Sequence, residues 1–247
     1  MKQIQALILA AGKGKRINAQ NKPKVLFSLM GKPLITYSLK SLAEAGFGKP
    51  VVVVGYRGEM VQNLLGKKVI YCWQKKQLGT AHAVSEAKKA LVDAKSVLII
   101  YGDTPFWQSS TLNKLIKSHR QTKATLSLVS VVFENPSFFQ YGRLVRDKDG
   151  NVMKSIEEKE ASDEEKKIQE CNPSCYLVET GWLWRALPKI KKSASGEYYL
   201  TDILNLAVRE KKKVNVLPIS NWREAVGVNT REQLQLANKL LQKTHYS

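Results

Sequence analysis

The chain has 247 residues, 43% of them hydrophobic, and carries a formal net charge of +19 at pH 7 from 40 Lys and Arg against 21 Asp and Glu. Such a length buries a substantial core and suits one large α/β domain or two smaller ones, while the absence of any apolar run of about 18 residues excludes a helical membrane span. Cys72, Cys171 and Cys175 cannot all pair, and Cys171-x3-Cys175 lacks the partners of a zinc set, so they read as packing residues in a reduced cytoplasm.

Met1-Lys2-Gln3 leads straight into the first expected strand, so no signal peptide is expected. Leu7 to Ala11 is an apolar run without a polar break, as a strand buried on both faces requires. It empties into Gly12-Lys13-Gly14-Lys15-Arg16 and then Lys22-Pro23-Lys24. Glycines after a strand let the backbone approach a ligand, and their free N–H groups can cradle phosphate oxygens. Arg16 adds a planar fork and Lys24 a point charge, so the segment predicts a polyphosphate site. It is neither a dinucleotide fingerprint, because Ile17 stands where the third glycine belongs, nor a Walker A loop, because Arg16 follows Gly14-Lys15.

Val51 to Val54 predicts a second strand ending at Gly55, and Ser96 to Ile100 a third ending at Tyr101-Gly102-Asp103. Between them Gly79 to Leu91 carries Ala81, Val84, Ala87, Ala90 and Leu91 at helical spacing. Strands alternating with helices predict a doubly wound, mostly parallel α/β sheet whose ligands bind beyond the strands' carboxyl ends, where Gly12, Gly55 and Asp103 fall. From Thr125 the texture changes. Thr125 to Phe133 predicts a strand, and Gly142 to Arg146 with Asp149 to Val152 a hairpin. Glu157 to Glu170 is dense in charge and predicts a loop or short exposed helix, and Thr230 to Lys243 a helix. No internal repeat and no hexapeptide ladder occurs.

The net charge invites a nucleic-acid reading. Most of the basic residues are lysines in surface pairs such as Lys88-Lys89 and Lys191-Lys192, without aromatic interleaving, so a solvated lysine-rich surface is favoured and no nucleic acid is expected as a partner.

The pattern G-x-G-x-R followed by P-K-x-L resembles the sugar-1-phosphate nucleotidyltransferases. Gln74-Lys75-Lys76-Gln77-Leu78-Gly79-Thr80-Ala81, Tyr101-Gly102-Asp103, Tyr141-Gly142-Arg143, Gly196 to Asp202 and Gly227-Val228-Asn229 follow in the order of the N-acetylglucosamine-1-phosphate uridyltransferase domain, from Leu7 to about Leu236. That domain is usually the N-terminal half of a bifunctional bacterial enzyme, and the acetyltransferase half is expected to be absent here. The resemblance implies a Rossmann-like fold with a small β-rich sugar-binding insertion: a nucleotidyltransferase domain over 1–229, its nucleotide part about 1–124 and its sugar part about 125–229, then a C-terminal helix over 230–247. Relatives that trimerise do so largely through the missing half, which leaves the oligomeric state open.

Nucleotidyl transfer has a sugar phosphate attack the α-phosphorus of a nucleoside triphosphate while pyrophosphate leaves, so the protein must align two anions and neutralise growing charge. Arg16 and Lys24 are the expected catalytic cations. Asp103 suits a hard divalent cation, although Thr104-Pro105 behind it would also fit a helix N-cap. By resemblance Asn229 completes the protein share of a Mg²⁺ site. Gln74 and Gln77 can donate and accept together, as reading the imide edge of uracil requires, and Gly79-Thr80 let the backbone approach the base. The resemblance adds Leu9, Ala11, Gly12, Gly14 and Gly102 to the nucleotide site. It places Gly142, Glu157, Asn172, Tyr199 and Thr201 around the sugar, with Glu157 chosen over Glu158 and Glu160 by alignment on Lys159.

Three positions depart from the family pattern. Lys15 stands where relatives usually have threonine, Pro173-Ser174 where they have Thr-Gly, and Val226 where an acidic residue is common. UTP, N-acetylglucosamine 1-phosphate and Mg²⁺ are therefore the expected substrates and cofactor. A same-fold enzyme for another sugar or alcohol phosphate, or a weakened nucleotide-binding protein, stays open beside them.

Overall fold

The computed structural model describes residues 3–17 and 21–245, so Met1 and Lys2 lie outside it. Strand β1 (Ile4–Ala10) opens the fold, and the short strands β2 (Ser28–Leu29) and β3 (Lys32–Pro33) pair in a ladder of their own. Alternation follows through α1 (Leu34–Glu44), β4 (Val51–Val54), α2 (Gly58–Leu65), β5 (Ile70–Trp73), α3 (Thr80–Glu86), β6 (Ser96–Tyr101), α4 (Ser109–Thr122) and β7 (Leu126–Val132). The second half contributes α5 (Pro136–Phe139), β8 (Gly142–Arg146), β9 (Val152–Ile156), α6 (Asp163–Lys166), β10 (Glu170–Asn172), β11 (Tyr176–Glu179), α7 (Thr180–Ala186), α8 (Asp202–Arg209), β12 (Val214–Ile219) and α9 (Arg231–His245).

Ten strands form one sheet in the order β5-β4-β1-β6-β11-β7-β10-β8-β9, with β12 on the other edge of β7. The run β5-β4-β1-β6 is parallel, as βαβ units require, and Leu7, Ile8, Leu9 and Ala10 sit opposite Val51, Val52, Val53 and Val54. Beyond β6 the sheet is mixed: β11 runs antiparallel between β6 and β7, β10, β8 and β9 continue antiparallel, and β12 returns parallel to β7. The doubly wound α/β fold is thus present, with its continuous parallel run in β5-β4-β1-β6 and one further parallel pair, β7 with β12. Antiparallel neighbours such as β6 and β11 are far apart in sequence, and no local periodicity tells which strand lies beside which.

The uninterrupted apolar runs follow from burial on both faces. Along β1, Leu7 and Leu9 enter one core with Val51, Val53, Val97 and Ile99, while Ala6, Ile8 and Ala10 enter the other with Val52, Val54, Leu98 and Ile100. Each fully buried Val, Leu or Ile contributes about 1.5–3 kcal/mol, so a polar residue anywhere in these strands would cost more than a surface change. A third, smaller cluster joins Ile17, Leu29, Leu34, Val228 and Ala237, and ties the loop after β1 to the start of α9. Ile17, which excludes the dinucleotide motif, is thus a packing residue.

Several local expectations are met with adjusted limits. The helix expected over 79–91 is α3 followed by a 3₁₀ turn at Lys88–Leu91. The hairpin is β8–β9, turned by Asp147, whose Oδ1 accepts from the N–H groups of Asp149 and Asn151. The charged stretch after Glu157 holds only α6, capped reciprocally by Ser162 and Glu165. All three cysteines are free, and burial pushes the Cys171 thiol up to about 12 and raises Cys72 and Cys175, consistent with packing roles. No helix among the described residues is long and apolar enough to cross a membrane.

Candidate active site

A cavity of about 520 Å³ opens at the carboxyl ends of β1, β5 and β6, where a parallel sheet is expected to bind its ligand. One wall is the loop from Ala11 to Arg16. Gly14 takes a left-handed φ of 63°, and Ile17 N–H closes the turn on Gly14 O at 3.2 Å. Gly55 faces the loop's back, and a Cβ there would stand 2.9 Å from both Ala11 Cβ and Ala11 O, so glycine is required for the approach. The side chain of Lys15, expected to add a cation here, lies outside the described part of the structure.

Two cations and two oxygen donors meet below this loop. Lys24 Nζ donates to Asn229 Oδ1 at 2.6 Å and forms an ion pair with Asp103 Oδ2. Arg16 donates through Nη2 to the same Asn229 oxygen at 3.0 Å and through Nη1 to Gln140 Oε1 at 2.8 Å. Asp103 follows β6 in a turn and no helix begins there, because α4 starts only at Ser109; the capping reading falls. Asn229 is brought alongside by a backbone bond from Val228 N–H to Asp103 O at 2.8 Å. Gln233 holds it there: the buried amide accepts from the N–H groups of Asn229 and Thr230 and donates to Phe138 O. Gly227 must be glycine because Tyr141 Oη, donating to Ala225 O, occupies the space a Cβ would need.

Gln74, Gln77, Gly79 and Thr80, which follow β5, line the cavity as well. Gln74 is 3% exposed; its Nε2 donates to Gly79 O at 2.9 Å, while Gln77 Nε2 donates to the Gln74 carbonyl. Gly79, at φ 112°, faces the backbone of Tyr198, which a Cβ would strike. The segment before α8 is bound here as well, by Ala81 N–H to Tyr198 O and Leu200 N–H to Thr80 Oγ1.

Gly142, Glu157 and Tyr199 also line the cavity, with Pro173 and Ser174. Glu157 Oε1 accepts from Thr201 Oγ1 at 2.5 Å, and burial, reinforced by Asp202 and Glu160, pushes its carboxyl above the usual range. Glu158 also borders the cavity, but is tied to the guanidinium of the fully buried Arg143. Thr201 stands behind Glu157 without lining the cavity, and Gly102 packs against Val25 and Ile8 beneath it. Asn172 is fully buried outside the lining: its Nδ2 donates to Tyr176 Oη and Ser155 Oγ, and its Oδ1 accepts from Ser174 N–H. Ser174 holds a left-handed φ of 64°, a conformation natural to the glycine of the family pattern and strained for serine. Val226 is wholly buried in the core, so that departure falls on packing rather than on the cavity wall.

Of the expected residues, Arg16, Lys24, Asp103, Asn229, Leu9, Ala11, Gly12, Gly14, Gln74, Gln77, Gly79, Thr80, Gly142, Glu157 and Tyr199 line one cavity; Gly102, Asn172 and Thr201 do not. Sequence reasoning missed Gln140, Arg143 and Gln233: Gln140 meets Arg16 124 positions away and leaves no local signal, whereas Thr230-x-x-Gln233 is a capping-box spacing that could have been read.

A family profile described as nucleotidyl transferase matches residues 5–239. The chain belongs to the nucleotidyl transferase family. This nucleotidyl transferase is 41% identical over 244 residues to the bifunctional protein GlmU of Caldanaerobacter subterraneus, and 38% identical over 242 residues to GlmU of Staphylococcus epidermidis. The matches take in 98% and 97% of the chain but only 52% and 53% of those proteins, so it spans about half the length of the curated relatives it matches. The fold is shared with a putative glucose-1-phosphate thymidylyltransferase from Bacillus anthracis at a TM-score of 0.78 and 19% identity, over 96% of this chain and 94% of that one.

Proposed function

We propose that this nucleotidyl transferase forms UDP-N-acetylglucosamine and pyrophosphate from UTP and N-acetylglucosamine 1-phosphate with Mg²⁺. The observation that carries the reading is one cavity that brings together the cationic, oxygen-donating centre, the amides of Gln74 and Gln77 and the carboxylate of Glu157. The relatives at about 40% identity support the uridyl and N-acetylglucosamine assignments, since GlmU is the name that recurs among them.

In the transfer, an oxygen of the sugar phosphate bonds to the α-phosphorus and the bond to the bridging oxygen of the β-phosphate breaks, its electron pair leaving with pyrophosphate. Arg16 and Lys24 stabilise the charge that grows on the leaving group, and the glycine loop positions the phosphates. Asp103 and Asn229 would hold Mg²⁺. Their oxygens already converge on one cation, the Lys24 ammonium, and oxygen donors are what a hard cation prefers. No group of three His, Cys, Asp or Glu among the described residues could hold a metal alone, so phosphate oxygens would share it. Bound there, Mg²⁺ would supply charge neutralisation between the phosphates. Gln74 and Gln77 hold the base, and Gly142, Glu157 and Tyr199 the sugar.

A second reading, another sugar phosphate as acceptor, is favoured by the committed amide of Asn172 and by Pro173-Ser174 in the wall. The acceptor assay separates the two. A pocket that pairs the acetamide should prefer N-acetylglucosamine 1-phosphate to glucose 1-phosphate by at least ~1.4 kcal/mol, roughly tenfold in kcat/KM. Equal or better use of glucose 1-phosphate would remove the N-acetylhexosamine assignment and leave nucleotidyl transfer standing.

A further inference from the structure

His82, on the first turn of α3, lies outside the cavity lining and carries no expected role, yet it touches a residue that does. Its Nδ1 is 2.9 Å from Gln74 Nε2, the same nitrogen that donates to Gly79 O at 2.9 Å. A carbonyl oxygen only accepts, so the Gln74 atom facing Gly79 O must be the NH₂ group. With that nitrogen fixed as the donor, His82 Nδ1 must accept. The ring is then the neutral Nε2–H tautomer, and Nε2 points at Glu86 Oε1 at 3.2 Å, an acceptor suited to that proton. Both hydrogens of the Gln74 amide are therefore engaged inside the protein. What remains for a ligand is Oε1, an acceptor.

We propose that His82, oriented by Glu86, is a positioning residue that locks the Gln74 amide with its oxygen toward the cavity and so selects a base carrying a ring N–H donor. The inference rests on the uridine reading above. Uracil N3 bears a hydrogen and pairs with an inward oxygen; cytosine N3 bears a lone pair and is repelled by it. Turning the amide over to suit cytosine breaks two hydrogen bonds, to Gly79 O and to His82, and sets Oε1 against two acceptors. Without His82 only the bond to Gly79 O resists the turn.

The test is the ratio of kcat/KM for UTP to that for CTP in the full chain, in the wild type, His82→Leu and His82→Asn. Asn places an amide oxygen near the position of Nδ1 and so keeps the acceptor. The ratio should fall about fivefold in His82→Leu, the worth of one hydrogen bond, and recover in His82→Asn. A substitution that merely loosened α3 would lower both rates together and leave the ratio unmoved, which would overturn the inference, as would a ratio that falls equally in both variants. A wild type indifferent between UTP and CTP would instead overturn the uridine reading itself, and that outcome is visible before either variant is made.

Discussion

Asp103→Asn should lower turnover by more than about 10²-fold at saturating substrates, the loss expected when a preorganised charge at the reacting phosphates is removed. The substitution keeps shape and an acceptor for Lys24 but removes the negative charge set 7% exposed at the end of β6. Asp103 is the carboxylate of the converging set, since Asn229 brings a neutral oxygen. With the charge gone, the affinity for Mg²⁺ should fall as well, and the Mg²⁺ concentration needed for half-maximal rate should rise. Steady-state rates across a Mg²⁺ titration read both. Wild-type turnover in excess chelator, or an Asp103→Asn rate within tenfold of wild type, would sink the metal assignment.

Arg16→Ala should cost kcat about 10²-fold while changing KM for UTP only a few-fold. Two donors of the guanidinium rest on neutral amide oxygens, Gln140 Oε1 and Asn229 Oδ1, in an exposed position. Those bonds exchange readily for charge-assisted ones on phosphate oxygens, and the exchange gains most where charge accumulates, on the departing pyrophosphate. An interaction stronger in the transition state than in the ground state appears in kcat. Unchanged kcat with raised KM would make Arg16 a simple binding residue. The released Gln140, at φ 55° on the C-terminal cap of α5, has no comparable charge to replace it.

The part of the cavity wall built from the first hundred residues was legible because its signals are local. Leu7 to Ala11, Gly12 to Arg16 and Ser96 to Asp103 each join a buried strand to the loop that emerges from it, and the loop's place in space follows from the strand. The second half was not. A single strand-like stretch after Glu170 is broken at Pro173-Ser174, its first part pairing with β8 and the upper end of β7, its second with β6 and the lower end of β7. Nothing in a period-2 pattern states which strand lies beside it. The choice among Glu157, Glu158 and Glu160 depends likewise on the distant partners Thr201 and Arg143. Asn172 is a different case: a motif position expected at the sugar lies outside the cavity lining, with its amide bonded to Tyr176, Ser155 and the Ser174 turn. Gln233 and His82 escaped notice because neither touches the cavity, each acting through a residue that does.

The most direct test of uridylyl transfer is pyrophosphate release by the full chain with Mg²⁺ and N-acetylglucosamine 1-phosphate, measured in turn with UTP, CTP, ATP and GTP. The proposed placement of the base at Gln74 and Gln77 and of the phosphates at Arg16, Lys24, Asp103 and Asn229 predicts release with UTP well above the other three and one UDP-N-acetylglucosamine formed per pyrophosphate. Release from a purine triphosphate at the UTP rate, or pyrophosphate without the sugar nucleotide, would contradict it.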